Sequence, residues 1–262
     1  AYLFTGIRGV GKTTIARIVA KALNCKKGIE NVSEESSCEN CHCKEITNSS
    51  HIDVLEMDAA SKTGVDDVRE LIEFSRYGPT SSKYKIFIID EVHMLSKQAF
   101  NALLKTLEEP PEYLKFIFAT TEIKKIPVTV ISRCQRFDLS RIKSSELFSF
   151  IKSIKDKEGG KITDEALKLI VKISEGSVRD ALSLLDQAAA MTADKLTFDL
   201  VADMLGQPGR SESQTILTSA LSGDCVTALA AFETAHGRGS QPEMLVTDLL
   251  DLIHMASMKA AG

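Results

Sequence analysis

The chain has 262 residues, 44% of them apolar and 26% charged, with a formal net charge of −4. That length supports two or three domains around a sizeable core, so neither disulfides nor a metal are needed to hold the fold as a whole. No apolar run is long enough to cross a bilayer, which argues against membrane insertion. The mildly negative total argues against a surface that coats nucleic acid everywhere, while leaving room for a local basic groove.

The chain opens on AYLFTG, which reads as the end of a strand running into a loop. That abrupt opening leads us to expect a preceding segment, and, with no charged-then-apolar export signal in what is shown, a cytoplasmic compartment is expected. From Ala1 to about Leu139, short apolar runs (YLF, VLEM, KIFIID, KFIFAT) alternate with helix-period stretches at Lys12–Asn24, Val65–Ser75 and Lys97–Glu108. This alternation predicts an α/β domain, residues 1–139, with a parallel sheet covered by helices on both faces. The nearly all-apolar KIFIID is expected at the centre of that sheet.

Gly6–Thr13 reads GIRGVGKT, a full match to the phosphate-loop pattern placed after a strand and opening a helix. Glycines 6, 9 and 11 let the backbone curl so that its N–H groups face phosphate oxygens, and the helix N-terminus adds partial positive charge. Gly6, Gly9, Val10, Gly11, Lys12, Thr13 and Thr14 are therefore the candidate nucleotide-binding run. Lys12 would reach the β and γ phosphates of ATP, and Thr13 would offer a hydroxyl to Mg²⁺. The bland reading, a glycine-rich turn, lacks a reason for the strand before it and the helix after it. In KIFIIDEVHML, Asp90 would complete the Mg²⁺ site and Glu91 would orient the attacking water.

Between the first helix and VLEM lie Cys25 and the run SCENCHCKE, which holds Cys38, Cys41 and Cys43. In a reducing compartment such crowding favours metal ligands over disulfides. Three readings stand: a four-thiolate zinc site, a site with His42 in fourth place, or no metal. A saturated four-ligand site has no open position and would be structural. Cys134 and Cys225 read as small buried hydrophobes.

After Leu139 the texture becomes helix after helix: Ser144–Lys155, Asp164–Ser174 and Val178–Met191. Residues 140–206 therefore read as a small helical domain. GQPG at Gly206–Gly209 reads as a linker, and 207–262 as the start of a third, all-α unit with helices at Ser211–Leu221, Val226–His236 and Pro242–Met258.

The stretches GIRGVGKTT, EMDAASKTGVDDVRELIE, IIDEVHMLSKQAFNALLKTLEEPPE, FATTEIKKIPVTVISRCQRF and GSVRDALSLLDQA together closely resemble the ATPase subunits of bacterial sliding-clamp loaders, the gamma/tau family of DNA polymerase III within the AAA+ class. The resemblance implies an AAA+ P-loop NTPase domain with a zinc-module insertion at 25–50, a helical lid, and the start of an oligomerisation (collar) domain. It also implies ATP hydrolysis that loads a sliding clamp onto primed DNA, in a hetero-oligomeric ring or spiral with other loader subunits.

By the same resemblance Arg133 of SRC reaches a neighbouring subunit's ATP, Arg179 of GSVRD senses nucleotide from the lid, and Thr121 of FATT lies beside the γ-phosphate. Lys62 and Lys105 are candidate contacts to DNA phosphates. Read alone, the two lysines and Arg133 are ordinary solvated charges, and Thr121 an ordinary strand residue. The usual metal module of this family has three two-residue-spaced cysteines after a shorter first gap; here only His42 separates Cys41 from Cys43. Two rival functions are a catalytically silent scaffold of the same assembly and a different DNA motor, such as a branch-migration helicase. The intact phosphate loop opposes the first; the cysteine insertion and SRC oppose the second.

Overall fold

The computed structural model describes residues 1–27, 41–191, 196–205, 210–237 and 240–261. The chain divides into two compact units, Ala1–Ile142 and Lys143–Gly262. The first contains β1 (Tyr2–Thr5), α1 (Lys12–Asn24), α2 (Cys43–Thr47), β2 (Val54–Asp58), α3 (Val65–Ser75), β3 (Lys85–Asp90), α4 (Lys97–Glu108), β4 (Leu114–Thr120), α5 (Val128–Ile131) and β5 (Gln135–Asp138). The five strands form one sheet in the order β2-β3-β4-β1-β5, and every pairing is parallel.

Strand β3 shows why the sheet is covered twice. Its side chains alternate between faces: Phe87 and Ile89 join Val68, Phe100 and Leu103 of α3 and α4, while Ile86 and Ile88 join Ala16 and Ala20 of α1. A strand buried on both sides has no solvated face, hence the unbroken apolar run. Helix α4 begins where Ser96 Oγ accepts the Ala99 N–H at 3.2 Å, and it buries Phe100, Leu103 and Leu107, spaced by three and four residues. The register pairs Thr5 with Thr120 and Asp58 with Asp90, so the C-terminal strand ends line up along one edge, where ligands bind in open α/β sheets.

Two elements of this unit depart from the sequence expectation. Strand β5, QRFD, is exposed along its length and pairs only with β1, so it carries no apolar signature. Helix α5 is a single turn, and Arg133 lies between it and β5.

The second unit is all helical: α6 (Ser144–Glu158), α7 (Asp164–Ile173), α8 (Val178–Met191), α9 (Phe198–Met204), α10 (Arg210–Ser222), α11 (Cys225–Gly237) and α12 (Pro242–Ala261). Gly159, at φ 68, ends α6 in the left-handed region, and Thr163 Oγ1 caps α7 by accepting the Ala166 N–H at 3.3 Å. The proposed linker Gly206–Gly209 lies outside the described residues. Among those described, no helix is long and apolar enough to cross a membrane.

Candidate nucleotide site and thiol cluster

The phosphate loop joins β1 to α1, and its backbone depends on glycine. At Gly6, φ is 154, and a Cβ would lie 2.6 Å from the carbonyl oxygen of Leu139. Gly11, at φ 94, is the left-handed residue from which α1 starts. Lys12 and Thr13 open that helix. Lys12 is 6% exposed, and its Nζ donates to the carbonyls of Gly6 (3.1 Å) and Ile7 (2.9 Å). Burial pushes this ammonium below its ordinary value, and the nearby carboxylates of Glu91 and Asp90 pull it partly back.

The two halves of the expected magnesium site meet across the sheet. Thr13 Oγ1 donates to Asp90 Oδ2 at 2.6 Å, although 77 residues separate them. In octahedral Mg²⁺ coordination neighbouring ligand oxygens lie about 3.0 Å apart, so this pair fits the ion after parting by a few tenths of an ångström. Glu91 follows in the left-handed region at φ 45, its N–H donating to Asp90 Oδ1 at 2.9 Å. Its Oε2 accepts from Thr121 twice, from the hydroxyl at 2.9 Å and the N–H at 3.2 Å. Lys12, Thr13, Asp90, Glu91 and Thr121 thus converge from three elements at the C-terminal edge of the sheet.

The other predicted side chains have surroundings of their own. Arg133 is bound to Glu108, Nη2 to Oε1 at 2.6 Å, and its Nη1 donates to the carbonyl of Thr129 at 2.5 Å. Arg179 is exposed in the first turn of α8, next to the cap in which Ser177 Oγ accepts the Asp180 N–H at 3.2 Å. Lys62 and Lys105 are exposed, the former in the turn after β2 and the latter on α4.

Of the four cysteines, Cys38 lies outside the described residues, and the other three come together. Cys41 Sγ is 3.8 Å from Cys25 Sγ and 3.7 Å from Cys43 Sγ. Tetrahedral zinc with Zn–S bonds near 2.3 Å needs sulfurs about 3.8 Å apart, so the spacing suits the ion, and the tight Cys41-His42-Cys43 step brings both thiols to one place. Without an ion the thiols ionise unequally. Burial opposes ionisation of Cys41, but N–H groups of Lys26 and Cys43 and the neighbouring thiols lower it to about 7. Burial and the thiols of Cys41 and Cys25 push Cys43 up to about 12.

His42 turns away from this group and joins Glu45 and His51. Its ring meets His51 edge-on at 4.6 Å between centroids. His51 Nδ1 accepts the Asp53 N–H at 3.0 Å, so in the neutral ring the proton sits on Nε2 and leaves no lone pair there for a metal. Asp53 is a residue that the sequence reading passed over. Fully buried, it accepts the N–H groups of Thr80 (2.7 Å), Ser81 (2.8 Å) and Ser82 (3.0 Å). Burial opposes ionisation, yet these donors hold its carboxyl down at about 2. Its only sequence signal was an acid at the mouth of an apolar strand.

Residues 1–143 match the family model "DNA polymerase III, delta subunit". Residues 148–194 match "DNA polymerase III clamp loader subunit, ATPase lid domain", and 196–262 match "DNA polymerase III subunits gamma and tau domain III". The chain is 42% identical to the Escherichia coli DNA polymerase III subunit tau over 98% of its own length and 40% of that protein's. It is 40% identical to the gamma subunit of Buchnera aphidicola subsp. Schizaphis graminum over 98% of its own length and 70% of that protein's. It therefore spans less than half of the longer relative and about two thirds of the shorter.

Among solved structures, the Thermotoga maritima RuvB Holliday junction branch migration motor superposes with a TM-score of 0.54 at 19% identity, covering 94% of this chain and 79% of that one. At that identity the likeness speaks for the fold alone. With the helical-lid and domain III matches lying in sequence behind a phosphate-loop sheet, the chain belongs to the gamma/tau family of DNA polymerase III subunits and carries its AAA+ clamp-loader ATPase architecture.

Proposed function

We propose that this chain binds and hydrolyses ATP as a motor subunit of a clamp loader, and that the cycle loads a sliding clamp onto primed DNA. The observation that carries the reading is the 2.6 Å contact between Thr13 and Asp90, which joins the loop, helix and strand halves of a magnesium-nucleotide site. Bound Mg²⁺ would supply charge neutralisation at the phosphates, and Thr13 and Asp90 are the residues to hold it. Lys12 leaves its two loop carbonyls for the phosphate oxygens, and Glu91 orients the attacking water.

Arg133 acts in trans on the neighbouring subunit's nucleotide, with Arg179 and Thr121 reading the γ-phosphate from the lid and the sheet. Lys62 and Lys105 contact DNA phosphates. ATP at such subunit boundaries favours a closed spiral, and loss of the γ-phosphate relaxes it. Cys25, Cys38, Cys41 and Cys43 hold a structural zinc, and the compartment is the cytoplasm.

The test is ATPase activity of the reconstituted assembly with clamp and primed DNA. Lys12→Ala is expected to lower the stimulated rate by about 10³-fold or more, and Arg133→Ala by about 10³-fold with ATP binding retained. An unchanged rate in the Lys12 variant refutes the ATPase reading, and a purified monomer hydrolysing at the full rate refutes the trans role. A rate indifferent to both clamp and DNA favours another motor class.

A further inference from the structure

Glu91 sits in a backbone conformation that costs a non-glycine residue of order 1 kcal/mol, so its surroundings must hold it there. Part of that hold is Thr121, and the remainder involves a side chain to which no role has yet been given. His93 lies in the short 3₁₀ turn Val92–Met94 that follows Glu91, and its side chain is 6% exposed. Its Nδ1 is 3.0 Å from Thr120 Oγ1 and 3.3 Å from Glu91 Oε2, and its Nε2 is 3.5 Å from Glu122 Oε1.

The chemistry of these neighbours assigns the proton. A carboxylate oxygen only accepts, so a bare Nδ1 lone pair 3.3 Å from Glu91 Oε2 would be repelled. Nε2 faces Glu122 Oε1 in the same way, but that carboxylate is about half exposed and free to turn to solvent, so the closer Nδ1 contact decides and Nδ1 carries hydrogen, shared between Glu91 Oε2 and Thr120 Oγ1. The Thr120 oxygen has two lone pairs, of which one already accepts the Glu122 N–H at 3.0 Å. All three contacts to the Glu91 carboxylate, two from Thr121 and one from His93, thus fall on a single oxygen.

We propose that His93 is a positioning residue for ATP hydrolysis: with Thr121 it pins Glu91 through Oε2 and so presents Oε1 to the attacking water. A base oriented by a third group is the general arrangement by which a proton acceptor is aimed. The anchoring groups come from the ends of two neighbouring strands: Thr120 ends β4 and Thr121 follows it, while Glu91 and His93 follow β3. A shift of β4 by a fraction of an ångström therefore moves the carboxylate with it. The inference rests on the ATPase reading above and adds the residue that aims its base.

The experiment compares three substitutions in the full-length chain within the reconstituted assembly, with clamp, primed DNA and saturating ATP. The Asn side chain places an amide N–H about where Nδ1 stands, whereas Gln places its own about where Nε2 stands. His93→Ala is expected to lower kcat by about 10- to 10²-fold, the scale set by misplacing a reacting group by about 1 Å. KM for ATP should be nearly unchanged. His93→Asn should recover most of the loss and His93→Gln should not, with both variants melting alike.

An unchanged kcat in His93→Ala overturns the proposal. So does equal behaviour of the Asn and Gln variants, whether both are active or both are inactive, and so does a loss confined to KM. Lys12→Ala run in parallel separates the two readings. Full hydrolysis by that variant sinks the ATPase reading itself, whereas its inactivity beside a fully active His93→Ala sinks only the role of His93.

Discussion

The phosphate loop and the thiol cluster lie at opposite ends of α1, and both are built to meet something charged, yet they wait for it differently. Around the loop the key side chains are held by partners within the protein: Lys12 on two carbonyls, Thr13 on Asp90, Glu91 on Thr121. Such a site keeps its shape before ligand arrives, and binding exchanges one set of partners for another. The thiols have chiefly each other, at 3.7 and 3.8 Å, and thiols are poor hydrogen-bonding partners. Burial and mutual repulsion oppose their ionising together, and Cys41 is lowered while Cys43 is raised. A cation at their centre removes that conflict, since only ionised sulfur ligates zinc. The first region is organised by its own hydrogen bonds, whereas the second has a spacing that suits an ion.

The sharpest way to break this contrast is Cys43→Ala. Structural zinc in small modules contributes about 10–16 kcal/mol of apparent binding free energy, so losing one thiolate should empty the site. Atomic absorption on freshly purified protein should fall from one equivalent to nearly none, with the nucleotide site still binding ATP. A full equivalent retained by the variant would remove Cys43 from the ligand set.

Next in size is Asp53→Ala, which leaves the Thr80, Ser81 and Ser82 amides without their acceptor. A buried donor left unpaired costs about 1–3 kcal/mol, and water can reach the exposed Thr80 and Ser81, so an overall loss of about 2–4 kcal/mol is expected in denaturant unfolding. The same carboxylate sets an acid dependence. Its folded value of about 2 lies below the ordinary 3.8, so its contribution is complete above about pH 4 and fades as pH falls through about 2. The contribution is about 2 kcal/mol, and stability of Asp53→Asn, measured between pH 4 and pH 2, should vary correspondingly less with pH.

The smallest expected effect sharpens the comparison from the other side. His42→Ala removes an edge-on ring contact with His51 and should cost about 1 kcal/mol. Zinc content should stay at one equivalent, because the His42 ring groups with Glu45 and His51 instead of the thiols. A proportional loss of zinc would return His42 to the ligand set.

What could be read from the sequence was local. The bounds of α1, α3, α4 and α8, and the strand Lys85–Asp90, follow from apolar spacing and from flanking glycine or serine, because a helix or a buried strand declares its period within a dozen residues. The phosphate loop was legible for the same reason, its function depending on backbone shape over eight consecutive residues. Strand β5 and helix α5 were not, because one is an exposed edge without apolar alternation and the other is too short to show a period.

Partnerships were the province of the tertiary structure. That Glu91 is held by Thr121 and His93, that Arg133 rests on Glu108, and that His42 faces His51 are contacts that no motif announces. The grip on Glu91 exists because the sheet order β2-β3-β4-β1-β5 places β3 and β4 side by side and lines up their C-terminal ends. Strand order is settled by burial on both faces of the whole sheet, a property of the folded chain that no single stretch of sequence contains.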